Sequence, residues 1–235
     1  LAPSRLNAMQ QSQGRSPTKV AKNLSLAAEG RAAAAGLWKT FLASTVVLAL
    51  GLIVLLQATA HGNAFTTETL RRTEVANTPS LVPELSVYDA DGNHSTLRQL
   101  LAGGGKVWIV DFVYTRCQTI CTTLGSVFQQ LQNHIRLRGL EDKVGLLSVS
   151  FDPAHDTSDA LQIYRDRMRM DPAIWNVVSL SSPLDRRQLL DAFGIIVIPA
   201  PLGEFEHNAA LHLVTGSGRL FRIVDYEDAT VALDT

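Results

Sequence analysis

The sequence predicts an α/β domain, a central mixed sheet with helices on both faces, preceded by one N-terminal transmembrane helix. Three observations predict it. Residues 41–60, FLASTVVLALGLIVLLQATA, carry no charge over the roughly 20 residues that a spanning helix needs. Beyond residue 84, short runs rich in β-branched and aromatic residues alternate with segments whose apolar residues recur at helical spacing. The last two strand-like runs, 209–214 and 220–224, flank Gly216-Ser217-Gly218, which marks an antiparallel pair.

The segments before the domain differ from it in composition. Residues 1–40 carry Arg5, Arg15, Lys19, Lys22, Arg31 and Lys39 against a single acid, Glu29, and few large apolar side chains. That composition predicts a disordered arm, and its positive charge places it in the cytoplasm, with everything after the anchor on the far side of the membrane. A cleaved signal peptide is the competing reading, because Ala58-Thr59-Ala60 resembles a cleavage site, but the arm is long for one. The expected location is the bacterial inner membrane with the domain in the periplasm. An Arg-rich, acid-poor presequence would instead give the mitochondrial inner membrane facing the intermembrane space. Residues 61–83 are polar with scattered apolar positions and predict a linker, which leaves 84–235 as the folded domain. The net charge of −1, with no basic block in the C-terminal part, argues against a nucleic-acid partner.

Within the domain the elements follow in order. Residues 85–88 alternate and meet Asp91-Gly92, a hairpin signal. A short helix over 97–101 ends at Gly103-Gly104-Gly105. Residues 107–113, VWIVDFV, read as a buried strand. Ile120, Leu124, Val127, Phe128, Leu131 and Ile135 then mark an amphipathic helix packed on it. Residues 144–151 form a second buried strand ended by Asp152-Pro153, and Asp156 or Thr157 caps a helix from 158 to about 169. A strand at 175–180 and a helix at 183–193 capped by Gly194 follow. Residues 195–198 are a short extended piece, 199–205 a loop, and His207 stands at the mouth of the last hairpin. This order matches a thioredoxin-like fold. The closing helix of that fold has only residues 228–234 to form it, so it is expected to be short or missing.

The two cysteines, Cys117 and Cys121, sit where the central strand turns into its helix. A structural disulfide there closes a loop of five residues, worth about 2 kcal/mol of chain entropy against nearly 5 for a loop of about a hundred. Two thiols on one helical turn, near a helix N-terminus that favours thiolate and beside Arg116, suit reversible oxidation or joint capture of a metal. Two thiolates select a soft ion, copper(I) first and zinc as competitor, and an imidazole would complete the site. His61, His94 and His134 lie too far along the chain pattern to reach the thiols. His155 follows the Asp152-Pro153 turn on the same rim, His212 lies inside a strand, and His207 ends a long loop.

The run Phe112-Val113-Tyr114-Thr115-Arg116-Cys117-Gln118-Thr119-Ile120-Cys121 resembles the Cys-x-x-x-Cys signature of the Sco/SenC family. Residues 150–157, with Asp152-Pro153 and Asp156-Thr157, and the opening hairpin at 87–92 are similar to further family stretches. Glu206-His207-Asn208 matches the place of the family's copper-binding histidine. The resemblance covers about 85–226. It implies a membrane-anchored, thioredoxin-like copper protein that helps assemble the binuclear copper centre of cytochrome c oxidase. Copper would be held by Cys117, Cys121 and His207, and the partner would be the copper-receiving oxidase subunit. It equally admits Cys117 and Cys121 as a redox pair that reduces the client's thiols, or a thiol–disulfide oxidoreductase without a carrier role. Gln118 and Thr122 replace prolines that usually follow each family cysteine, and Glu206 replaces an Asp. The restored N–H donors are expected to alter copper affinity and reduction potential.

Overall fold

The computed structural model describes residues 38–57, 67–102, 104–117, 120–201 and 204–234, without the side chains of Thr67 and residues 120–122. The expected disorder of the N-terminal arm falls outside the described residues, apart from 38–40. The chain divides into two compact units, Leu1–Asn63 and Ala64–Thr235. In the first, helix α1 (Trp38–Gln57) is long and apolar enough to cross a membrane.

The second unit has a thioredoxin-like mixed sheet. Its ten strands are β1 (Ser80–Leu81), β2 (Ser86–Asp89), β3 (His94–Thr96), β4 (Val107–Val113), β5 (Val144–Ser150), β6 (Trp175–Leu180), β7 (Val197–Pro199), β8 (Phe205–His207), β9 (Leu211–Val214) and β10 (Arg219–Val224). Eight of these form one sheet in the order β1-β10-β9-β4-β5-β6-β2-β3. β4, β5 and β6 run parallel and are buried on both sides, which is why they read as continuous apolar runs. β7 and β8 pair only with each other, as a separate two-stranded hairpin.

The helices are α2 (Thr67–Asn77), α3 (Leu97–Ala102), α4 (Ile120–Arg138), α5 (Ser158–Met168) and α6 (Arg186–Phe193). Alternate residues of β4 face opposite layers. Phe112 meets Phe193 of α6 and His212 of β9 on one side. On the other, Trp175 of β6 packs against Phe128 of α4 and donates its indole N–H to Ser148 of β5. α5 closes on α4 at Gly125, where a Cβ would collide with the Met168 sulfur, so glycine permits the contact. Thr157 caps α5, and Gly194 ends α6 at a φ of 63°, both as the sequence predicts.

The structure departs from the sequence-based expectation in two places. Residues 61–83, expected as a linker, contain α2 and β1, and the compact unit begins at Ala64. α2 has a weak apolar stripe and is held by long-range contacts. Arg71 donates to the Phe193 carbonyl at 2.6 Å, Arg72 forks onto Asp225 at 2.7 Å to each oxygen, and Val75 packs on the core. Cys117 lies in the turn ahead of α4 rather than on its first turn; only the backbone of residue 121 belongs to the helix. In agreement with the expected short or missing closing helix, Tyr226–Leu233 forms a 3₁₀ segment.

Candidate metal centre

Cys117 is 1% exposed and follows β4 through a tight turn in which its N–H donates to the Tyr114 carbonyl at 3.1 Å. The residues between are held by the loop after β5. Asp156, fully buried, accepts from the Thr115 N–H at 3.0 Å, from the Thr115 hydroxyl at 2.6 Å and from the Ser150 hydroxyl. Arg167 of α5 donates to the Thr115 carbonyl at 2.9 Å. The turn before Cys117 is therefore tied at both its donor and its acceptor side. Burial raises the Asp156 carboxyl above the usual aspartate range, and the Ser150 and Thr115 hydrogen bonds draw it part of the way back.

Asp152, also buried, takes Arg116 at 3.0 Å and His155 Nδ1 at 2.9 Å. His155 thus stands on the same rim as Cys117, oriented by a carboxylate and 3.2 Å from Arg116. The stretch from Ser150 to Thr157 works as a clamp for the cysteine turn.

His207 arrives from the far end of the chain on β8, opposite Val197 of β7. Its Nδ1 lies 3.1 Å from the Asn208 carbonyl. A carbonyl only accepts, so the proton is assigned to Nδ1 and the lone pair to Nε2. The ring packs edge-on against Phe151 at 5.3 Å and Tyr114 at 6.4 Å between centroids. Burial lowers its proton affinity, while the Asn208 carbonyl and the charge of the nearby Cys117 act the other way, with a net shift downward. A neutral imidazole suits metal ligation. Cys117 and His207 share Tyr114 as a neighbour, and Phe151 and Phe205 complete the aromatic wall around the imidazole.

Among the described residues no three His, Cys, Asp or Glu side chains form a metal-holding group on their own. The Cys121 side chain lies outside the described set, as do those of Gln118 and Thr122. The donor chemistry still fits copper: one buried cysteine sulfur, one neutral imidazole with its lone pair on Nε2, aromatic walls, and a second cysteine whose backbone opens α4 four residues on. The remaining described histidines do not join Cys117. His94 packs on Tyr88, His134 is exposed on α4, and His212 is fully buried, directs Nε2 to the Phe193 carbonyl and is driven by burial to about 3.

Known proteins converge on the same description. The SCO1/SenC family model matches residues 74–233. The chain belongs to the SCO1/SenC family. A SCO1 protein homolog of Bacillus subtilis is 26% identical over 144 residues, covering 60% of this chain and 72% of that protein. Among solved structures, a SCO1/SenC family lipoprotein from Bacillus anthracis superposes with a TM-score of 0.57 at 24% identity, over 67% of this chain and 95% of that one. Arabidopsis thaliana ScoI with copper bound gives a TM-score of 0.56 at 18% identity, over 66% and 96%. The SCO1/SenC match begins inside α2, so the later part of the segment expected as a linker, from residue 74 on, belongs to the family domain.

Several residues of this SCO1/SenC site escaped the sequence reading. Tyr114 reads as the residue that follows an apolar strand, yet its hydroxyl reaches Glu204 and neighbours the Cys117 side chain. Asn208 reads as a polar loop residue, yet its side chain accepts from the Ile196 N–H at 2.7 Å and donates to the Gly194 carbonyl at 3.1 Å, closing the base of the His207 hairpin. Arg186 lies over the Phe205 ring at 4.6 Å. Tyr114 and Asn208 lie inside the quoted family motifs, but nothing in those motifs marked the contacts they make.

Proposed function

We propose that this protein binds copper on the outer face of a membrane, through Cys117, Cys121 and His207, and delivers it to the binuclear copper site of cytochrome c oxidase or prepares the thiols of that site. The observation that carries the reading is the convergence of Cys117 and His207, 90 positions apart, in one aromatic-walled recess. Family membership and copper-bound relatives of the same fold support the choice of metal. α1 would hold the domain near the oxidase subunit, with the domain in the periplasm. Copper supplies the ion to be handed on by ligand exchange. The chain's own residues orient the imidazole, hold the cysteine turn and exclude water.

The test is a copper(I) titration of the reduced full-length chain and of His207→Ala. One ion per chain, bound more weakly by the variant, is expected; equal stoichiometry and affinity would remove His207 from the site. A thiol–disulfide oxidoreductase is the second reading, favoured by the position of Cys117 just ahead of the N-terminus of a 19-residue helix, where thiolate is stabilised. In that case Cys121→Ser traps a mixed disulfide between Cys117 and its client; a copper carrier alone traps none.

A further inference from the structure

Among the described residues, the hairpin that carries His207 has no strand pairing with the main sheet to hold it in place. β7 and β8 are three residues each, pair with no strand of the main sheet, and expose Ile196 and Ile198. Two strands alone are marginal in water. Its position comes from side chains: Phe205 and His207 pack on Phe151, Arg186 lies over Phe205, and hydrogen bonds hold the two ends. At the base, Asn208 bonds Ile196 and Gly194. At the other end stands Tyr114, 1% exposed and three residues before Cys117.

The Tyr114 oxygen lies 2.6 Å from a Glu204 carboxylate oxygen and accepts the Phe205 N–H at 3.1 Å. The Cys117 side chain is a further neighbour of the phenol. The Phe205 carbonyl is 3.1 Å away as well, but a hydroxyl has one proton, and the charged, shorter acceptor takes it. The ring meets Phe205 edge-on at 5.3 Å. One phenol oxygen thus joins the turn that leads to Cys117 and the strand that ends at His207.

We propose that Tyr114 and Glu204 form a latch that sets the position of the His207 hairpin over Cys117, and through it the affinity for copper. Tyr114 is a positioning residue here, acting through the hairpin. The link to copper rests on the function proposed above; the latch itself does not. With the latch open, the hairpin keeps its Asn208 base and the packing of Phe205 and His207 on Phe151 and Arg186, but loses its hydrogen-bonded tie to the turn that carries Cys117.

The test uses the full-length chain in detergent micelles with Tyr114→Phe, Glu204→Ala and Glu204→Gln. Amide hydrogen exchange at Phe205 reports the latch, and competition with a chromogenic copper(I) chelator reports affinity. Tyr114→Phe and Glu204→Ala are expected to speed exchange at Phe205 at least about tenfold and to weaken copper(I) binding about tenfold, the worth of one or two hydrogen bonds. Glu204→Gln retains an acceptor oxygen and should return both to within about threefold of the parent. Glu204→Ala leaves the buried ring intact and keeps the test valid if Tyr114→Phe folds poorly. Unchanged exchange at Phe205, or a Gln variant as weak as the Ala variant, overturns the latch. Should the parent chain bind no copper(I), the proposed function fails, and exchange at Phe205 still decides the latch.

Discussion

Replacing Asp111 by Asn is expected to stabilise the protein at neutral pH and to remove a pH dependence. Asp111 lies in the middle of β4, fully buried beneath α4, and neither carboxyl oxygen meets a described partner at hydrogen-bond geometry. Burial drives its carboxyl to about 7, offset in part by the adjacent Ser148 hydroxyl, whose oxygen also accepts the Trp175 indole N–H. A folded-state value raised above that of the unfolded chain means the folded form prefers the proton. Its contribution is fully present below about pH 4 and is lost as pH rises through about 7. Moving from the ordinary value of 3.8 to about 7 changes proton affinity by about three powers of ten, or about 4 kcal/mol. Asn carries no such penalty, though its own amide must find partners among the same atoms, so part of the gain is lost. The assay is urea unfolding of the full-length chain and of Asp111→Asn in detergent, followed by Trp fluorescence from pH 3 to 8. The difference in unfolding free energy should be near zero at pH 3 and grow in favour of the variant to a few kcal/mol at pH 8. A difference that stays flat across that range would refute the argument.

Other consequences concern the clamp, the packing and α2. Asp156→Ala leaves the Thr115 N–H and two hydroxyls without their acceptor and should cost on the order of 3 kcal/mol in chemical denaturation, with faster alkylation of Cys117; unchanged thiol reactivity would show that the cysteine turn is held by something else. Gly145→Ala places a Cβ 2.5 Å from the Trp108 ring and should destabilise by about 1–3 kcal/mol while shifting Trp fluorescence. Arg71→Ala removes the charged donor to the Phe193 carbonyl and should cost about 1.5–3 kcal/mol, with protease cleavage appearing first within α2. Cleavage no faster than in the parent would mean α2 docks without that bond.

Local rules account for much of the architecture. The parallel strands β4, β5 and β6 were visible as apolar runs because each is buried on both faces, and α4 was visible because Leu124, Phe128, Leu131 and Ile135 repeat on one stripe. The caps at Thr157 and Gly194 are properties of single residues and their immediate backbone. α2 and β1 were missed for the opposite reason. α2 owes its place to Arg71 and Arg72 reaching residues over 120 positions away, and a two-residue strand has no period to detect.

The sequence by itself determined the apolar span, the alternation of strands and helices, and the thiol pair at the junction of strand and helix, since each is written in adjacent residues. Only the tertiary structure decided that Tyr114 is a shared neighbour of Cys117 and His207, that Asp156 grips the turn in front of Cys117, and that a phenol oxygen joins that turn to the His207 hairpin. Those contacts depend on sheet order and on the register of β8 against β7. Both come from packing summed over the whole domain, so no local stretch of chain carries them.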